Sequence, residues 1–108
     1  MREVTLDSFE EAHAGGAAVI DVREPGEYVA GHVPGARPVP MGQLPSRLGE
    51  LDKDQPVYVI CASGNRSLAM TSLLVQAGYD AWSVAGGTGG WARSGRPVVE
   101  GTQPGGER

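Results

Sequence analysis

Two uninterrupted apolar runs limit what this chain can fold into: Ala17-Ala18-Val19-Ile20-Asp21-Val22 and Val57-Tyr58-Val59-Ile60. Both are rich in β-branched residues, and neither alternates apolar with polar. Each therefore predicts a strand buried on both faces, as in a parallel sheet. Parallel strands need crossover connections, and the residues between the runs carry helix signals. Asp7 or Ser8 can cap a helix through about residue 14 that turns Phe9 and Ala12 inward and stops at Gly15-Gly16. Glu24 and Pro25 open a short helix bearing Tyr28 and Val29. Leu44, Leu48 and Leu51 mark another over about residues 41–51. Leu68, Met70, Leu73, Leu74 and Ala77 recur at helical spacing up to Gly78. Shorter strands are expected at 2–6 and 81–84, with an extended segment at 38–40. Strands alternating with helices predict an α/β fold, a mainly parallel sheet flanked by helices on both faces.

Residues 1–100 are expected to form a single domain, and 101–108, which lack an apolar pattern, a disordered tail. Nine Lys and Arg residues are scattered and the net charge is −4, which argues against a nucleic-acid partner. No apolar stretch is long enough to span a bilayer, so no membrane association is expected. Met1-Arg2-Glu3-Val4-Thr5 leads into structured sequence without the pattern of a signal peptide. The single cysteine forms no internal disulfide and suits a reducing, cytoplasmic compartment. One cysteine and two distant histidines make no zinc-type cluster, and neither a metal nor an organic cofactor is expected.

That cysteine, Cys61, falls where the second apolar run ends and a helix is about to begin. In open α/β sheets, ligands bind at such strand ends. The first N–H groups of the helix lack helical partners, and the helix dipole favours an anion there. A thiolate gains from both. Ala62 and Ser63 add little bulk, and Gly64 permits a positive φ that turns several N–H groups inward as a nest. Asn65, Arg66 and Ser67 complete the loop, with the Arg66 cation expected to lower the thiol pKa. A free cysteine is often an inert core residue. A polar, Gly-containing loop with a cation behind it favours a reactive one instead.

Other residues invite functional readings. Asp21 lies at the same sheet edge as Cys61; buried, it must accept hydrogen bonds or pair with a cation. It either orients the active loop or serves locally, capping the short helix or pairing with an arginine. Arg23 and Glu27, four apart, suit a modest surface ion pair. His32 reads as a turn histidine bonded to a backbone carbonyl rather than a general base, since no carboxylate neighbours it. Gly86, Gly87, Gly89 and Gly90 lack the Gly-Lys-Ser/Thr ending of a phosphate loop and read as close packing under Trp91. Trp82 reads as core, and Met41 and Met70 as core or rim.

Three stretches together resemble rhodanese-homology domains. Asp21-Val22-Arg23-Glu24, with Glu27-Tyr28 and Gly31-His32-Val33-Pro34-Gly35-Ala36, is similar to their first signature. Cys61 to Arg66 resembles their active-site loop, and Val84-Ala85-Gly86-Gly87 with Trp91 their last signature. The resemblance implies a single-domain sulfurtransferase with about five strands. In such a protein the cysteine takes sulfane sulfur from thiosulfate or a persulfide donor, becomes a persulfide, and passes the sulfur to cyanide, a thiol or a protein acceptor. Rhodanese-like phosphatases place five residues between cysteine and arginine. Four separate Cys61 from Arg66, which favours sulfur over phosphoryl transfer. A dedicated persulfide carrier with little activity on small donors is the other alternative.

Overall fold

The computed structural model describes residues 2–106. Its elements run β1 (Glu3–Val4), α1 (Leu6–Ala14), β2 (Ala18–Asp21), α2 (Pro25–Ala30) and β3 (Arg37–Pro38), then a 3-10 helix (Met41–Glu50). They continue with β4 (Val57–Ile60), α3 (Asn65–Gln76), β5 (Ala81–Val84) and α4 (Gly87–Arg93). The five strands lie in the order β1-β5-β4-β2-β3, and every neighbouring pair is parallel. The chain is thus α/β. Among the described residues no helix is long and apolar enough to cross a membrane.

The central strand shows why the apolar runs are continuous. Val57, Val59 and Cys61 face one side, packed with Leu44 of the 3-10 helix and Leu74 of α3. Ile60 faces the other side, against Phe9 of α1, Tyr28 of α2 and Trp91 of α4, with Tyr58 packed at its margin. Helices cover both faces, so successive strand residues are all apolar. Each fully buried Val, Ile or Leu contributes about 1.5–3 kcal/mol of transfer free energy. The register Asp21↔Ile60 brings Asp21 to the same sheet edge as Cys61.

Three local expectations change. Thr5, not Asp7 or Ser8, caps α1, its hydroxyl accepting from the Ser8 N–H at 3.1 Å. Asp7 lies in the first turn instead, where a carboxylate still favours the positive helix end. Residues 41–50 wind as a 3-10 helix because Pro45 sits inside them. Proline lacks the N–H an α-helix would use there, and its ring crowds the preceding turn. The bare-looking C-terminal segment is also held, over its described part. Val99 and His32 exchange two backbone hydrogen bonds as an isolated antiparallel bridge, and Gly101 N–H donates to Val29 O at 2.9 Å. Gly35 N–H donates to Pro104 O at 2.9 Å. Residues 101–106 are therefore docked rather than disordered, through backbone and histidine contacts that leave no mark on apolar patterning. Met1, and Glu107 and Arg108 of the expected tail, lie outside the described residues.

Candidate active site

β4 hands the chain to α3 through Cys61, Ala62, Ser63 and Gly64. Gly64 adopts φ 109° and caps α3 with no side-chain hydrogen bond, so the first turn keeps its N–H groups for the loop. They converge on sulfur. Cys61 Sγ accepts from the Gly64 N–H at 3.1 Å and the Ser67 N–H at 3.3 Å. Ser67 Oγ lies 3.4 Å from Sγ. Burial resists ionisation of this thiol, yet its pKa is lowered on balance. The Ser67 hydroxyl and the N–H groups of Ser67, Gly64 and Ser63 together outweigh the desolvation.

Ser67 does not act alone. Its hydroxyl lies 2.8 Å from Ser83 Oγ and 3.1 Å from Gly64 O. With Cys61 a thiol, the S–H donates to Ser67 Oγ and the Ser67 hydroxyl donates onward. With Cys61 a thiolate, the Ser67 hydroxyl can turn to sulfur while Ser83 donates to Ser67. Both serines are fully buried, so this short chain is shielded from competing water.

The carbonyl side of the same loop is taken by α4. Thr88 N–H donates to Cys61 O at 2.8 Å, and Gly89 N–H to Ala62 O at 2.9 Å. That leaves the amide face of the loop free for sulfur. Gly87 makes the contact possible: a Cβ there would lie 2.4 Å from Cys61 O, and its φ is +58°. The glycine cluster is thus a close-packing device, as its sequence suggests, but what it packs against is the Cys61 loop.

The charged residues pair differently from the sequence expectation. Arg66 does not stand free beside sulfur; its two terminal nitrogens bind the Glu27 carboxylate at 2.7 and 2.9 Å. The Arg66 guanidinium holds the Glu27 carboxyl down at about 2, against partial burial. Arg23 therefore does not meet Glu27. It turns back to Asp21, with Nη2 2.8 Å from Oδ2, and also donates to Gly31 O at 2.7 Å. Asp21 accepts the Arg23 backbone N–H as well, at 3.1 Å. Of its two readings, the local pairing with an arginine describes the contacts it makes. Both partners are buried, and each needs the other to be tolerable there. Ala62 is half-buried, and Ser63 and Asn65 point to solvent at the loop's rim.

His32 is wholly buried and bonded to backbone carbonyls: Nδ1 lies 2.8 Å from Tyr28 O, and Nε2 lies 2.9 Å from Gln103 O. Its ring stacks on Tyr28, with centroids 3.7 Å apart. It is a structural pin for the C-terminal segment.

The sequence reading missed Ser83 and the Glu27–Arg66 pair. Ser83 had a signal: a polar residue on a strand whose pattern demands burial must find a partner, and β5 neighbours β4. The ion pair joins residues 39 apart in sequence. Helical spacing could not reveal it.

A family model described as Rhodanese-like domain matches residues 5–94. This chain belongs to that family. The solved structures agree with it in fold. A rhodanese-related protein from Thermoplasma volcanium superposes with a TM-score of 0.86 at 34% identity, over 92% of this chain and 98% of the other. A Rhodanese-like Domain Protein from Staphylococcus aureus does so with a TM-score of 0.79 at 31% identity, over 84% and 91% respectively. In sequence, a protein of Allochromatium vinosum named Sulfurtransferase is 39% identical over 82 residues, 75% of this chain and 77% of that protein. In this rhodanese-like domain the matched span takes in the Cys61 loop, Ser83 and the Gly87 contact. It stops short of the C-terminal segment that His32 holds.

Proposed function

We propose that this rhodanese-like domain is a sulfurtransferase that carries sulfane sulfur as a persulfide on Cys61. The observation that supports it best is the convergence of the Gly64 and Ser67 N–H groups on Cys61 Sγ within a loop of four residues. Such a loop has room for one further sulfur over a ring of donors, and little for a phosphoryl group with three equatorial oxygens. The Allochromatium vinosum relative named Sulfurtransferase supports the same reaction class.

Cys61 thiolate attacks the outer sulfur of thiosulfate or of a persulfide donor. A new S–S bond forms to Cys61 while the donor's own S–S bond breaks, and sulfite or a thiolate leaves with the electron pair. The persulfide anion is then stabilised by the N–H groups of residues 62–67 and by the α3 dipole. An acceptor thiolate, cyanide or a protein thiol attacks the outer sulfur and restores the Cys61 thiolate. This is double-displacement covalent catalysis. Ser63 and Asn65 border the entrance, while Asp21 and Arg23 hold the neighbouring strand end as supporting structure. Glu27 and Arg66 tie α3 to α2. With no second thiol in the chain, the persulfide has to be discharged to an external acceptor, and a reducing cytoplasm suits such a cycle.

Intact mass spectrometry before and after thiosulfate tests the reading. Wild type should gain one sulfur, about 32 Da, lost again on adding cyanide, and Cys61→Ser should gain none. Gain from glutathione persulfide but not from thiosulfate would reassign the domain as a dedicated carrier. No gain from any donor would refute sulfur transfer.

A further inference from the structure

The Glu27–Arg66 pair joins helices on opposite faces of the sheet. Tyr28 packs α2 against Ile60 and Trp91, whereas Leu74 packs α3 against Val57, Val59 and Cys61. A salt bridge between these helices has to cross an edge of the sheet. It crosses the carboxyl edge, because both residues sit in the first turns of their helices. α2 starts just past β2 and α3 just past β4, and the register Asp21↔Ile60 sets those strand ends side by side. The pair thus spans the strand ends from which the Cys61 loop rises.

Arg66 also borders the sulfur through its own backbone. The next residue, Ser67, donates its N–H to Cys61 Sγ at 3.3 Å, so the Arg66–Ser67 peptide lies against the thiol. Long helical side chains lean toward the helix N-terminus, which for α3 is the Cys61 end. Glu27 and the Cys61 thiolate both favour the charged guanidinium. Yet the fork is spent. Nη1 lies 2.7 Å from Glu27 Oε1 and Nη2 lies 2.9 Å from Oε2, the bidentate geometry a donor's own oxyanion would need. Glu27, its carboxyl held down at about 2, stays ionised throughout the neutral range. Arg23, at the same edge, is likewise taken by Asp21.

We propose that Glu27 is a specificity-determining residue of the Cys61 site: by holding the Arg66 fork it denies that cation to an incoming anion. The site then favours a donor whose group beside the transferred sulfur is uncharged, an organic persulfide, over thiosulfate, whose sulfonate adjoins that sulfur. The choice of donor rests on the sulfur-transfer reading, but the alkylation test does not. A Glu27 that merely ties α2 to α3 would change the rates of charged and neutral reagents at Cys61 alike.

Cys61 is the chain's sole thiol, so alkylation reports on it alone. The ratio of its rate constants with iodoacetate and with iodoacetamide is measured in wild type, Glu27→Asp, Glu27→Gln, and Glu27→Gln combined with Arg66→Gln. The ratio should rise about fivefold in Glu27→Gln, stay near wild type in Glu27→Asp, and return to wild type in the double variant. In about 1 M salt the rise should fade. In turnover, Glu27→Gln should raise kcat/KM about fivefold for thiosulfate and leave it unchanged for the persulfide of 2-mercaptoethanol, which carries no charge beyond its sulfurs. An unchanged ratio in Glu27→Gln, an equal change with both reagents, or a rise that survives in the double variant would overturn the proposal. A wild type that forms no persulfide would instead remove the sulfur-transfer reading, with the alkylation ratio still deciding on Glu27.

Discussion

Replacing Ser67 by alanine should raise the Cys61 pKa by about one unit. The mutation removes one of the groups that favour the thiolate, a hydroxyl 3.4 Å from Sγ, and leaves the Gly64 and Ser67 N–H groups in place. A hydrogen bond to a charged group is worth about 1.5–3 kcal/mol. At this length the bottom of that range applies, and ~1.4 kcal/mol is one pKa unit. The sign follows from the role: the hydroxyl stabilises the charged form, so its loss lets the proton stay on to higher pH. Activity follows the thiolate fraction, so the acid limb of the sulfur-transfer profile should move up by the same unit while the alkaline plateau stays in place. Ultraviolet absorbance of the thiolate against pH reads the pKa directly, with Cys61→Ser as baseline. Stability should fall too, because Ser83 loses its partner in a dry interior, a penalty of about 1–3 kcal/mol. Adding Ser83→Ala should recover part of the Tm and none of the pKa. A shift below about 0.3 units in Ser67→Ala would refute the assignment of the depressed pKa to this hydroxyl.

Gly87→Ala should cost about 3 kcal/mol or more and raise the Cys61 pKa, since the new methyl meets Cys61 O and displaces the loop; a folded variant with normal Cys61 titration would contradict this. His32→Ala should lose about 2–4 kcal/mol and expose residues 98–106 to limited proteolysis before the rest of the chain; an unchanged cleavage pattern would argue against the pin. The Glu27–Arg66 pair should stabilise the fold above the ordinary carboxylate range, its contribution declining as pH falls through 4.5 toward about 2. With side chains 37% and 34% exposed, solvent screening reduces that contribution to about 1 kcal/mol. Glu27→Gln should flatten this acid limb of the Tm profile, and an unaltered limb would count against the pair.

The α/β class and the position of Cys61 were legible because both leave one-dimensional marks: continuous apolar runs, and a change of period from strand to helix. The glycines of the last signature were legible as close packing, though not their target, which lies 26 residues away in sequence at Cys61. Charge pairing was the weak point. Arg23 and Glu27 are helix neighbours by spacing, but Asp21 sits two residues from Arg23 at a buried strand end and competes better for it. The cation released from one pair and the carboxylate released from the other are settled by three-dimensional proximity. The docking of residues 101–106 was invisible for a similar reason: backbone hydrogen bonds and a histidine ring hold them, and neither has a hydrophobic period.

The strand order has a consequence for synthesis. β1 pairs only with β5, at Glu3↔Ser83 and Val4↔Val84, although almost the whole domain separates them in the chain. An emerging polypeptide can close β2 on β4 once residue 60 has left the ribosome, but its first strand must wait for residues 81–84. The amides that hold Cys61 O and Ala62 O come later still, from Thr88 and Gly89. On a ribosome that adds about 5–20 residues per second, the thiol-bearing loop is therefore among the last parts to be fixed. The donors that depress the thiol pKa follow Cys61 closely in the chain, but the contacts that clamp its loop from behind wait until the sheet around it is complete.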